Sequence, residues 1–117
     1  MKDAHIAIEE LKKVFQNNPE GLVQVLKSLR TKLEAYERNI PKLVEKRRIV
    51  ELRKYLHDLK GISGYIKLGE NPDYGEEIAK ALRDSIDGDI LELSQNILKE
   101  LPSLQLHLAE LITQFDR

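Results

Sequence analysis

The sequence predicts an all-α protein, arranged as an antiparallel four-helix bundle with a short additional N-terminal helix. Leucine and isoleucine recur at three- and four-residue steps along nearly the whole chain, the spacing that gathers apolar side chains on one helical face. No stretch alternates as a half-buried strand does, and aromatic residues make up only 5% of the chain, so sheet has little support. With 117 residues and 41% hydrophobic content, a single helical domain spanning 1–117 around one core is expected.

The first helix is expected over about 3–16, with Ile6, Ile8, Leu11, Val14 and Phe15 apolar and Asn17-Asn18-Pro19 as its stop signal. It would act as a lid. A second helix starts near Pro19-Glu20 and carries Leu22, Val25, Leu26, Leu29, Leu33 and Tyr36, until Pro41 kinks or ends it. The third is expected from Leu43 to about Lys67, with Ile49, Leu52, Leu56, Leu59, Ser63 and Ile66 toward the core. The stretch LGENPDYG, with Gly69, Asn71, Pro72 and Asp73, reads as a turn, and Tyr74, Ile78, Ala79, Leu82 and Ile86 mark a fourth helix. Asp87–Asp89 then joins it to a last segment from Ile90 to Ile112, which Pro102 kinks or divides.

Composition narrows the functions. Nineteen Lys+Arg against twenty Asp+Glu give a net charge of −1, so the chain as a whole offers no electrostatic case for nucleic acid or an anionic membrane. The absence of cysteine excludes disulfides, thiolate metal sites and thiol nucleophiles, and fits a cytoplasmic protein. Met1 is followed by polar Lys2 and Asp3, and no apolar run approaches the roughly 18 residues of a membrane span. A soluble, unexported monomer is expected.

The stretch KYLHDLKGISGYIKLG, residues 54–69, sets a histidine, a lysine and glycines into a leucine-rich helix. At about 100° per residue, His57 projects roughly 125° from the centre of the apolar stripe, toward solvent. Gly61 and Gly64 fall within roughly 40° of it and Lys60 within about 60°. Each glycine inside a helix costs about 1 kcal/mol relative to alanine, and clearance for an approaching partner would account for two on one exposed flank. An imidazole is a competent nucleophile near neutral pH, and an ammonium beside it can neutralise a phosphoryl group attached to it. These parts suit a phosphorylatable histidine. His5, with Glu9 four residues on, and His107, with Glu110 three on, form no di-metal ligand set and are expected to be solvated surface residues.

The run H-D-L-K-G, His57 to Gly61, followed by Ser63 and Gly64, resembles the H-x-x-K-G motif of histidine-containing phosphotransfer domains. The resemblance covers essentially the whole chain and includes the helix order and the register of Leu68, Gly75 and Ile78. It implies that His57 accepts a phosphoryl group from a receiver-domain aspartate and donates it to another receiver, in a relay fed by a hybrid sensor histidine kinase. It also implies no cofactor, since magnesium and the acidic pocket belong to the receiver. Gly61, Gly64, Arg53 and Lys54 would meet that partner. Where the family often has a small residue ten positions after the histidine, this chain has Lys67, projected about 80° from His57, which would add charge to the docking rim or restrict it.

Three other readings use the same residues. A kinase-associated phosphotransfer module would need a catalytic domain and dimerisation helices, neither of which is identifiable in this sequence. A helical adapter would keep the fold without phosphorylation. A nucleic-acid binder would use EKRRIVELRK, Glu45 to Lys54, but Glu45 and Glu51 interrupt that basic run.

Overall fold

In the computed structural model, which describes residues 4–68 and 74–116, the chain runs β1 (His5–Ile6), α1 (Ile8–Val14), α2 (Pro19–Glu45), α3 (Ile49–Gly61), β2 (Ile66–Lys67), α4 (Tyr74–Asp84) and α5 (Asp87–Phe115). Two long helices carry the leucine and isoleucine stripes. α2 buries Leu22, Leu26, Leu29, Leu33, Tyr36 and Ile40, and α5 buries Ile90, Ser94, Ile97, Leu101, Leu104, Leu108 and Leu111. Both series step alternately by four and three, the spacing that keeps a seam facing a partner helix along its whole length. A rise of 1.5 Å per residue makes such helices about 40 Å long. The overall extents of 44 × 26 × 24 Å follow from them.

Ion pairing of Lys27 with Asp116 at 2.8 Å, and donation from Gln105 Nε2 to the Arg30 carbonyl at 3.4 Å, set the start of α2 beside the end of α5. α3 contributes Leu52, Leu56 and Leu59 to the same core, and α4 contributes Tyr74, Ile78 and Ala81. Ser94 is buried in the core, and its hydroxyl donates to the Ile90 carbonyl at 2.8 Å. Among the described residues, no helix is long and apolar enough to cross a membrane.

The element boundaries differ from the sequence reading at several points. Pro41 does not end its helix. α2 runs through it to Glu45, and the reversal comes at Lys46–Arg48, where Arg47 takes a left-handed φ of 52°. The third helix therefore starts at Ile49, not Leu43, and it stops at Gly61 instead of Lys67. Successive tight turns follow, with the Ile62 amide donating to Leu59, Ser63 to Lys60 and Tyr65 to Ile62. Ile66 and Lys67 then pair antiparallel with Ile6 and His5. Two low-propensity glycines weaken the helix there, and sheet pairing takes its place.

The N-terminal helix is correspondingly shorter than 3–16, because His5–Ile6 forms that strand, and Val14, expected in its apolar face, is 63% exposed. The last turn is Ser85–Ile86, with Ser85 at φ 55°, so Asp87–Asp89 is the first turn of α5 and Ile86 lies 53% exposed. α5 then passes through Pro102 undivided. The expected turn residues Gly69, Asn71, Pro72 and Asp73, and positions 1–3, lie outside the described residues.

The start of the second helix at Pro19 was legible. Pro19 opens α2, and Asn18 Oδ1 accepts from the Gly21 amide at 3.0 Å, a side-chain cap. Gly75 packs close to Ser63, and a Cβ there would come within 2.9 Å of Ser63 Oγ and displace that hydroxyl.

Leu101→Ala, which empties a fully buried site on α5, should lower the unfolding free energy by about 2–5 kcal/mol in denaturant titration. Val50→Ala, at a site 65% exposed, should leave it unchanged within about 0.5 kcal/mol.

Candidate functional site

His57 lies in the second half of α3 and is exposed, as its projection from the apolar stripe predicted. Among the described residues no hydrogen bond or ion pair holds its ring. Lys60, in the last turn of the same helix, and Lys54, one turn before His57, are also exposed and form no ion pair with a described residue. Gly61 closes the helix and Gly64 sits in the turn beyond it, and a Cβ built on either would meet nothing within 4 Å. The backbone beside His57 is therefore uncovered. Gly64 lies off the helix, so the helical projection that placed it does not apply.

The acids of α3 are both neutralised within the protein. Arg48 donates to Glu51 at 2.7 Å, and that hydrogen bond is the main reason the Glu51 carboxyl sits below its usual range. Lys32 Nζ on α2 donates to both oxygens of Asp58 at 3.1 Å, and the hydroxyl of buried Tyr36 donates to the same carboxylate. Partial burial pushes the Asp58 carboxyl upward, but the hydrogen bonds from Tyr36 and Lys32 outweigh it and hold the group below the aspartate range. What remains on the exposed side of α3 is His57 between two cations, Lys54 and Lys60.

This Lys32–Asp58–Tyr36 arrangement is the part of the site that sequence reasoning missed. Asp58 faces α2, one position from His57, and fastens the helix that carries the histidine. Tyr36 also stacks edge-on against Tyr55, with ring centroids 5.4 Å apart, and Tyr55 accepts from Asn39 Nδ2 at 2.9 Å. Burial, then the hydrogen bond to Asp58, drive the Tyr36 hydroxyl well above its ordinary pKa, so it stays a donor. No local spacing joins positions 32, 36 and 58; only the helix pairing does.

Two residues expected on the docking rim are engaged elsewhere. Arg53 Nη1 donates to Ser85 Oγ and Nη2 to the Leu82 carbonyl, each at 3.0 Å, closing the last turn of α4. Lys67 is half-buried in β2, opposite His5, and does not belong to the helix of His57. His107, expected in solvent, is half-buried and accepts from the Ile6 amide at 2.9 Å; His5 packs edge-on against it. The described residues contain no group of three His, Cys, Asp or Glu side chains placed to hold a metal ion.

No known protein family, curated protein or solved structure matches this chain.

Asp58→Asn should lower stability by about 1 kcal/mol at neutral pH, a modest figure because the pair is half-exposed. The folded carboxyl is held low, so its contribution is present above the ordinary aspartate pKa and lost as pH falls through the lower folded value. Urea unfolding at neutral and at acid pH should therefore show parent and variant converging in acid.

Proposed function

We propose that the chain is a histidine phosphotransfer module, with α2 to α5 forming an antiparallel four-helix bundle and α1 with β1 packed at its side. The observation that carries the reading is His57 itself: exposed, unengaged, with Lys60 one turn on and uncovered glycine backbone beside it. The unprotonated ring nitrogen attacks the phosphorus of a receiver's aspartyl phosphate. The N–P bond forms as the acyl P–O bond breaks and the aspartate carboxylate leaves, and a second receiver reverses the step. Lys60 stabilises the charge on the transferred group, and Lys54 attracts an acidic receiver rim. The bundle would work as a cytoplasmic monomer without a cofactor of its own, placed between a hybrid sensor histidine kinase and a response regulator.

A second reading, a helical adapter that is never phosphorylated, draws on the early end of α3: Gly64 and Lys67, expected on the same helix as His57, lie beyond its last residue, Gly61. Incubation with phosphorylated receiver domains separates the two. Transfer of label to this protein, acid-labile, relatively base-stable and absent from His57→Gln, is expected for the carrier. Lys60→Ala should slow transfer roughly tenfold to a hundredfold, or about 1.4–2.7 kcal/mol, with the fold intact. Label on His5 or His107, or full labelling of the glutamine variant, would exclude the assignment to His57.

Gly61→Leu and Gly64→Leu test the clearance. Neither glycine has a neighbour for a Cβ to strike, so thermal unfolding should show stability unchanged, or raised slightly at helical position 61. Transfer to and from a receiver should fall on the order of a hundredfold, since displacing reacting atoms by about 1 Å has that effect. Normal transfer by both variants would show that no partner approaches over this backbone.

A further inference from the structure

We propose that the hydrogen bond between the Ile6 amide and His107 is a proton-operated latch: a proton on Nδ1 of His107 removes the acceptor and releases β1 from α5 and β2. Ile6 is 1% exposed, and its amide donates to Nδ1 at 2.9 Å across a separation of 101 residues. An acceptor at Nδ1 places the single proton of the neutral ring on Nε2. That tautomer leaves the second nitrogen without a lone pair for a metal. Protonation puts a second N–H at Nδ1, so that two donors face each other and the Ile6 amide loses its partner.

The surroundings decide when this happens. Burial, then the neighbouring His5, hold His107 below the ordinary imidazole range, while Glu110 on α5 draws it upward. Lys67 of β2 stands across the ladder from His5. On the helices packed against α5, Lys12 lies over the Phe115 ring, Lys27 pairs with Asp116, and Arg30, whose carbonyl accepts from Gln105, pairs with Glu34. The depressed folded pKa fixes the sign. The latch contributes stability above the unfolded imidazole pKa of about 6.5 and loses it as pH falls through the lower folded value. Protons have access, because Ala4, His5, Ser103, Leu106, His107 and Glu110 line an open cleft of about 240 Å³.

Release would reach past the strand. β1 holds β2 through the pairs His5 with Lys67 and Ile6 with Ile66, and the Ala7 amide donates to the Tyr65 carbonyl at 2.8 Å. Tyr65 follows Gly64 directly, in the turn that leaves the His57 helix. Acidification therefore loosens that turn from one side, while the Tyr74 hydroxyl continues to hold the Ile66 carbonyl at 2.7 Å.

Amide exchange and the His107 ring signals can be followed by NMR on the intact protein from neutral to mildly acid pH, with exchange expressed as protection relative to the free peptide rate. Protection of the Ile6 and Ala7 amides should fall at least tenfold in step with the titration of His107. In His107→Asn, whose side-chain oxygen can accept from Ile6 but takes up no proton in this range, protection should stay constant. Unchanged protection in the parent while His107 titrates would overturn the proposal, however the variant behaves. A folded asparagine variant that loses protection at the parent's pH would do the same. Loss at Ile6 with full retention at Ala7 would remove the link to the turn. Phosphoryl transfer enters none of these readouts, so the result stands apart from the role of His57.

Discussion

The seam between α2 and α5 is the contact on which the rest of the molecule depends. Two helices of 27 and 29 residues alternate steps of four and three buried positions, so each stays turned toward the other over its full length. A prolyl residue in each does not interrupt it, because Pro41 and Pro102 are exposed and their rings lie away from the buried series. The shorter elements are placed by leaning on this pair: α3 on α2 through Tyr36 and Asp58, α4 on α3 through Arg53, and β1 on α5 through His107. Without the seam, none of them has enough apolar surface of its own to hold a position.

A net charge of −1 conceals a sorted surface. On α3 the two carboxylates are occupied by Arg48 and Lys32, which leaves the outward side cationic around His57. Between α4 and α5 the opposite holds, with Glu77, Asp89 and Glu92 around a cleft that also contains Lys80. Counting charges along the chain averages the two. The cationic strip supports the proposed encounter with an acidic receiver, and the internal pairing of Asp58 explains how an acid can sit next to the histidine without opposing that encounter.

Much of the helical content was legible because it is written in local spacing. The buried faces of α2 and α3 and the exposure of His57, Lys60 and Lys54 all follow from residues three or four apart. The errors share a different cause. Lys46–Arg48 and Ser85–Ile86 reverse the chain without glycine or proline, through left-handed Arg47 and Ser85, a conformation that tertiary packing imposes and residue type does not announce. The strands β1 and β2 are two residues each, too short for alternation to register, and their pairing depends on a partner about sixty positions away. His107 was read as a surface residue for the same reason: its partner is a backbone amide, which no side-chain pattern reveals.

The closure made by β1 also orders the assembly of the chain in time. Contacts between α2 and α3 join residues 16 to 26 apart, whereas Ile6 meets His107 across 101. Loop-closure entropy grows only logarithmically, so the longer closure costs about 1 kcal/mol more, a small difference in itself. The larger demand is structural: β1 has nowhere to dock until both β2 and the far half of α5 exist. During synthesis β1 is made about a hundred residues before its anchor, so Ile6 and its neighbours stay without that partner until residue 107 has been added.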